Sequence, residues 1–172
     1  MAFTPNGTLN PHGAPVLRAQ VITNSITVTE NDSVKLASGF VALGTTGALV
    51  FGHVVSINTN YGVGLNSTGI AGAAFGSFAG AYLTASNNQT VAQVRAVCNL
   101  SKETLYSASL NATIGTTTGS NLAGYKINVS TEKTLSESST ATTTLQYNTW
   151  GVDPLNTAQA IVNVYQSQVF GV

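Results

Sequence analysis

The sequence predicts an all-β protein: short strands in a barrel or sandwich, grouped as one or two small β subdomains, with an extended N-terminal arm. Three observations carry this. Apolar residues recur at every second position through much of the second half, as in Ala92, Val94, Ala96, Cys98 and Leu100, the period of a strand with one buried face. Turn-forming clusters such as Glu30-Asn31-Asp32-Ser33 and Gly44-Thr45-Thr46-Gly47 punctuate the first half at short spacing. No stretch holds a helical period.

Taken in order, Met1 to Pro15 holds Pro5, Pro11 and Pro15 with Gly7 and Gly13, a density that breaks helix and central strand alike. It reads as an extended arm, either a frayed terminus or, through Phe3 and Leu9, a segment that lies along a neighbouring subunit. Ile26–Thr29, Val34–Leu36 and Phe40–Leu43 then alternate as strands. Gly44–Gly47 reads as a hairpin loop, and Ala48–Phe51 and Val54–Ile57 follow, split by a bulge or bend at Gly52. Strands this short and evenly spaced fit a small barrel or sandwich.

Gly69–Leu83 differs, with Gly72, Gly76 and Gly80 four apart among Ile70, Phe75, Phe78, Tyr82 and Leu83. This G-x-x-x-G ladder is a membrane dimerisation pattern, but the apolar run is about 15 residues against the roughly 20 a bilayer needs. Close backbone packing within the fold or against a partner is the preferred reading. The second half continues with alternation over Val91–Leu100, Tyr106–Ile114, Tyr125–Val129 and Ala158–Val164, with a turn at Asp153-Pro154. The division expected is an arm (1–19), a β subdomain (20–68), a Gly/Ala-rich connecting segment (69–89) and a second β subdomain (90–172). No close internal repeat is visible.

Composition narrows the function. Charged residues make up 7% of the 172, against about 25% in an ordinary soluble domain, and Thr, Ser, Asn and Gly fill the gap. Net charge is +0, which favours association. Arg18, Lys35, Arg95, Lys102, Lys126 and Lys133 are scattered, so the basic footprint of a nucleic-acid binder is missing. Cys98 is alone and on an apolar face, which reads as a buried, inert thiol. The N-terminus shows neither the basic nor the apolar region of a signal peptide, so the expectation is a chain folded in a reducing cytoplasm. Asn-x-Ser/Thr triplets at Asn6, Asn31, Asn66, Asn88, Asn99, Asn111 and Asn128 then follow from composition rather than from glycosylation.

Catalytic and metal-binding groups are scarce. His12 falls in the arm and His53 in a strand-like run, neither with the surroundings of a general base. His53 reads as a strand histidine bonded within the fold. Two histidines and one cysteine cannot make a zinc site, and Glu30 with Asp32 lacks calcium-loop spacing. Nothing pairs any two of Glu103, Glu132, Glu137 and Asp153 for glycoside hydrolysis. Trp150, near Tyr147, has the chemistry to stack on a sugar, though a single Trp is more often core. No catalytic, cofactor or metal site is expected, and the chain reads as a non-enzyme.

Three segments carry a resemblance: Asp32-Ser33-Val34 leading to Gly39-Phe40-Val41, and then Gly52-His53-Val54-Val55. They resemble strands of the small barrels in head decoration (cement) and related structural proteins of tailed bacteriophages. Gly119-Ser120-Asn121-Leu122-Ala123-Gly124-Tyr125, Leu135-Ser136-Glu137-Ser138-Ser139 and Gly151-Val152-Asp153-Pro154 are similar to virion proteins of that group. The resemblance covers most of the chain as loose patterns and brings no catalytic residues. It implies trimers or other homo-oligomers fixed to the major capsid protein on the outer face of a phage capsid, made in the host cytoplasm, with no nucleic-acid or membrane partner. Phe3, Leu9, Phe75, Phe78 and Tyr82 are the candidate inter-subunit contacts. The alternatives are a carbohydrate-binding or adhesive β domain of a fibre or surface protein, and a tail or neck structural protein.

Overall fold

The computed structural model describes residues 3–12, 14–23, 26–58, 77–80, 95–111, 122–141, 145–165 and 167–168. In chain order the strands are β1 (Thr4–Thr8), β2 (Leu17–Val21), β3 (Ile26–Thr29), β4 (Ser33–Ala37), β5 (Phe40–Leu43), β6 (Gly52–Asn58) and β7 (Ser77–Gly80). They continue with β8 (Arg95–Asn99), β9 (Thr104–Leu110), β10 (Lys126–Thr131), β11 (Thr134–Ala141), β12 (Tyr147–Asp153) and β13 (Asn156–Val164). The described residues contain no helix, and the fold is all-β.

The pairings close into two rings. In the first, β2, β8, β6, β4 and β5 lie side by side and antiparallel. A parallel bridge between Ile22 and Val41 joins the last strand to the first, where the Thr23 N–H donates to the Val41 carbonyl at 2.9 Å. The β4–β5 hairpin turns through Ser38 (φ 50°) and Gly39 (φ 84°), between the paired Ala37 and Phe40. Two positive φ angles in succession suit the strand twist, and glycine supplies one without strain.

In the second ring β9, β13, β12, β10 and β11 follow one another, and β11 returns to β9 in parallel through Leu135 and Leu110. Here the Asn111 N–H donates to the Leu135 carbonyl, again at 2.9 Å. Ring closure leaves few free edges, which limits edge-to-edge aggregation.

The two rings share one topology and one register. Val34↔Gly52 in the first corresponds to Ile127↔Tyr147 in the second, Leu36↔Val41 to Val129↔Leu135, and Val54↔Cys98 to Thr149↔Val162. Both carry a register shift at the same place, skipping Val55 in β6 and Trp150 in β12. The sequence gives no sign of this repeat.

Each ring has its own core. Ile22, Val34, Val41, Val54, Ala96 and Cys98 fill the first, with Val28 of β3, whose strand pairs with β7. Tyr106, Ala108, Ile127, Val129, Leu135, Ala160 and Val162 fill the second. A fully buried aliphatic side chain stabilises by about 1.5–3 kcal/mol. The period-two pattern is what points these residues inward.

Several expectations are corrected. The N-terminal segment is no free arm, because Thr4–Thr8 pairs with β9. β9 holds β13 on one edge and shares the other between β1 and β11. Phe3, expected on a neighbouring subunit, is fully buried in the second core. Gly52 does not split two strands but begins β6, and Ala48–Phe51 is loop apart from a bridge at Val50. A boundary at residue 90 does not follow the sheets, since β8 completes the first ring. Leu9 stays on the surface, 43% exposed. Phe75 and Tyr82 lie outside the described residues, and Phe78 is described only by its backbone pairing with Val28.

Candidate functional site

The junction of the rings gathers the buried polar groups. His53 enters β6 with its ring 4.0 Å from that of Tyr106 and 4.8 Å from that of Phe3, centroid to centroid. Its Nε2 lies 3.0 Å from the Tyr147 hydroxyl, which also bonds the Ser33 hydroxyl at 2.6 Å. Burial drives the imidazole pKa down to about 3 and pushes both the Tyr147 and Tyr106 hydroxyls upward. His53 is therefore a neutral ring that bonds one barrel to the other. At 1% exposure it is not placed to take a proton from an outside substrate.

Further bonds fasten the rings. The Ser33 N–H donates to the Glu132 carbonyl at 2.8 Å, and the Thr46 hydroxyl to the Val129 carbonyl at 2.8 Å. Gln146, fully buried, accepts from the Val129 N–H through Oε1 and donates through Nε2 to the Thr45 and Ala48 carbonyls. Lys133 approaches Asp32 at 3.8 Å. Burial raises the Asp32 carboxyl pKa, opposed by the Thr29 N–H and hydroxyl and by Lys133. The Asp32 carboxylate accepts from the Thr29 N–H and hydroxyl, both at 2.8 Å, and among the described residues no three His, Cys, Asp or Glu side chains are grouped to hold a metal ion.

Two surface cavities lie on the second ring. One, of about 380 Å³, is bounded by β1, the Asp153–Leu155 turn and β13. There the Ser107 hydroxyl donates to Asp153 at 2.5 Å and the Leu155 N–H at 2.9 Å. These bonds, Ser107 first, hold the Asp153 carboxyl below its ordinary range. One carboxylate oxygen is thus committed to the turn and the other to β9. Glu103 and Glu132 sit on two different turns and Asp153 at the end of β12, and the side chain of Glu137 lies outside the described residues.

The other cavity, of about 280 Å³, lies between the Ala123–Lys126 segment and Asn148–Trp150 of β12. Trp150 forms its wall. Alternation along β12 turns the indole outward, 54% exposed, while Tyr147 and Thr149 are buried, and the register shift falls at Trp150 itself. Trp150 is thus surface, not core. Its Nε1–H donates to the Asn163 Oδ1 at 2.8 Å, and the Asn163 Nδ2 donates to the Lys102 carbonyl at 2.8 Å. The opposite wall is pinned to β12 by the Gly124 N–H on the Thr149 carbonyl (3.0 Å) and the Thr149 N–H on the Tyr125 carbonyl (2.8 Å). Lys126 Nζ lies 4.1 Å from the centre of the Tyr165 ring. Of this group the sequence singled out Trp150 alone; Asn163 looked like one more outward polar residue of an alternating strand.

Fold and sites define a tandem of two five-stranded rings with a sealed polar junction and an aromatic groove on the second ring. The chain matches no protein-family model, no curated protein and no solved structure.

Proposed function

We propose that the chain is a structural protein of a tailed-bacteriophage particle, a homo-oligomer that binds the major capsid protein on the outer face of the shell and stabilises it through inter-subunit contacts. It performs no catalysis. The division of side chains between inside and outside carries this reading, together with the sequence resemblance. Ser33, Tyr147, Gln146 and the Nε2 of His53 bond within the chain, while His53 Nδ1 and the Tyr106 hydroxyl are buried without a hydrogen-bond partner. Six basic and six acidic residues serve 172 positions, and Asp32 and Asp153 among them are buried, while Leu9, Val16, Leu17, Leu49 and Val55 are 43–52% exposed. Charge is the usual means of keeping a free protein dispersed. A surface of hydroxyls, amides and half-exposed aliphatics suits burial against other subunits. The loss of Phe3 to the core moves the expected contact from a free arm to the outer edge of β1 and to Leu9. Such an edge is able to accept a further strand.

Electron cryomicroscopy of purified virions that carry the chain tests the proposal. The expected result is density for both rings on the outer face of the capsid, at a fixed copy number per capsomer. Density confined to tail or neck overturns the location, and absence of the chain from the particles overturns the function.

A further inference from the structure

We propose that the Trp150 groove is a binding site for one neutral sugar ring of a glycan. This rests on the groove alone and stands independently of the particle assignment.

The indole is a prepared platform. Its single donor, Nε1–H, is consumed by Asn163, itself 6% exposed and anchored to the Lys102 carbonyl. Two bonds in series fix the ring plane, so little rotamer freedom remains to be lost on binding. What faces solvent is aromatic surface with no unused donor. The C–H face of a pyranose suits such a surface, because a π face carries partial negative charge and C–H groups partial positive charge. The sugar's rim of hydroxyls then needs neutral hydrogen-bonding groups, which Asn148 and Tyr125 place along the groove.

Size and charge narrow the ligand. About 280 Å³ lies just below the 300–1,000 Å³ usual for small-molecule sites, which suits one ring rather than a long oligosaccharide. No carboxylate lines the groove, and Lys126 beside the indole opposes a cationic ligand on its π face. Its one cation, Lys126, rests over the Tyr165 ring. A single lysine is a poor basis for a phosphate-rich ligand.

The first ring supplies an internal control. The same bulge there presents Val55, 44% exposed, which has no aromatic face. Asn99, at the position of Asn163, turns instead to Thr104 and Ser101: its Nδ2 donates to the Thr104 hydroxyl at 2.9 Å, and its Oδ1 accepts from the Ser101 N–H at 3.0 Å. The ring closes in both cases. The Trp–Asn pair is therefore not required to build the barrel, and its exposure on one copy calls for a ligand.

Trp150 is the only tryptophan in the chain, so its fluorescence reports the site directly. The full-length protein is titrated with methyl glycosides of glucose, galactose, mannose and N-acetylglucosamine to tens of millimolar, with sialic acid and inorganic phosphate in parallel. The expected result is a saturable emission change with at least one neutral sugar, and protection of Trp150 from acrylamide quenching by that sugar. Trp150→Ala, followed by saturation-transfer NMR, should weaken binding about ten-fold or more, and Val55→Ala should leave it unchanged. Asn163→Ala, which frees the indole, should weaken binding while keeping the emission response. No response to any neutral sugar overturns the proposal, as does a response to sialic acid or phosphate alone. So does a folded Trp150→Ala protein that binds as tightly as the parent. If Trp150→Ala fails to fold, the quenching-protection result on the parent decides.

Discussion

Acidification should destabilise the protein through His53. Folding places the imidazole between Phe3, Tyr106 and Tyr147 at 1% exposure, with a pKa of about 3, whereas the unfolded chain restores the ordinary 6.5. Below pH 6.5 the unfolded state binds a proton that the folded state refuses. The stability associated with the neutral ring is therefore complete above pH 6.5 and is lost as pH falls toward 3. Well inside that window each pH unit costs about 1.4 kcal/mol, so passing from pH 6.5 to 4.5 costs roughly 2.3 kcal/mol. A typical domain has only about 5–15 kcal/mol in total. The assay is urea denaturation followed by circular dichroism at pH 7.0, 6.5, 5.5 and 4.5, for the parent and for His53→Phe. The variant loses the bond to Tyr147, worth about 1 kcal/mol net, but Tyr147 keeps Ser33. It should start less stable at neutral pH, hold a shallower slope and overtake the parent before pH 4.5. Asp32, whose raised carboxyl pKa favours the folded state on acidification, and Asp153, whose lowered pKa acts the opposite way, are common to both proteins. The difference between the two curves therefore isolates His53. Parallel curves would refute the placement of a neutral histidine at the junction.

Phe3→Ala should cost about 3–5 kcal/mol in chemical denaturation, the range for deleting a fully buried aromatic. An unchanged midpoint would mean that Phe3 is not in the core. Gly52→Ala should destabilise by about 1–3 kcal/mol, because a Cβ there would stand 2.5 Å from the Asn99 carbonyl oxygen and 3.0 Å from Leu100 Cδ2; neutral behaviour would contradict the β6–β8 contact. Cys98, buried with its thiol pushed up to about 12, should resist a thiol reagent at pH 8 in the native protein and react promptly in urea. Rapid native reaction would contradict its burial.

Pattern reading worked where the apolar residues are the buried ones. Ala96 and Cys98, Tyr106 and Ala108, and Ile127 and Val129 face inward as alternation requires. It failed on β12, where the buried positions are Tyr147, Thr149, Gly151 and Asp153, and the largest apolar side chain, Trp150, points out. Hydrophobicity there runs against burial, because Thr149 and Asp153 satisfy their polar atoms internally. β1 was hidden by Pro5 and Gly7, which read as breakers; at the end of a sheet a strand tolerates the missing N–H. The boundary at residue 90 failed for another reason. Alternation records which face is buried but not which neighbour pairs, so β8 and β9 read alike while belonging to different rings.

The repeat explains how an interface this polar is tolerated. At the equivalent positions where the fourth strand of each ring begins, the first ring carries Gly52 and His53 and the second Tyr147 and Asn148. Gly52 leaves no room for a Cβ beside the Asn99 carbonyl, whereas Tyr147 carries its ring into the junction and bonds His53. Positions that are equivalent by topology have thus become complementary in chemistry. Among the matched strand residues, identity survives at Leu17 and Leu105, at Ala96 and Ala160, where a small side chain sits fully buried, and at Asn99 and Asn163, where the amide is needed twice. Each asparagine orders the stretch beside its own bulge-bearing strand, one for the turn at Ser101 and the other for the exposed indole of Trp150. A pair of rings free to diverge at all other matched positions retains the closure, the register and the bulge. The bulge is where they differ most in what they show to solvent: an aliphatic on one ring, a fixed aromatic on the other.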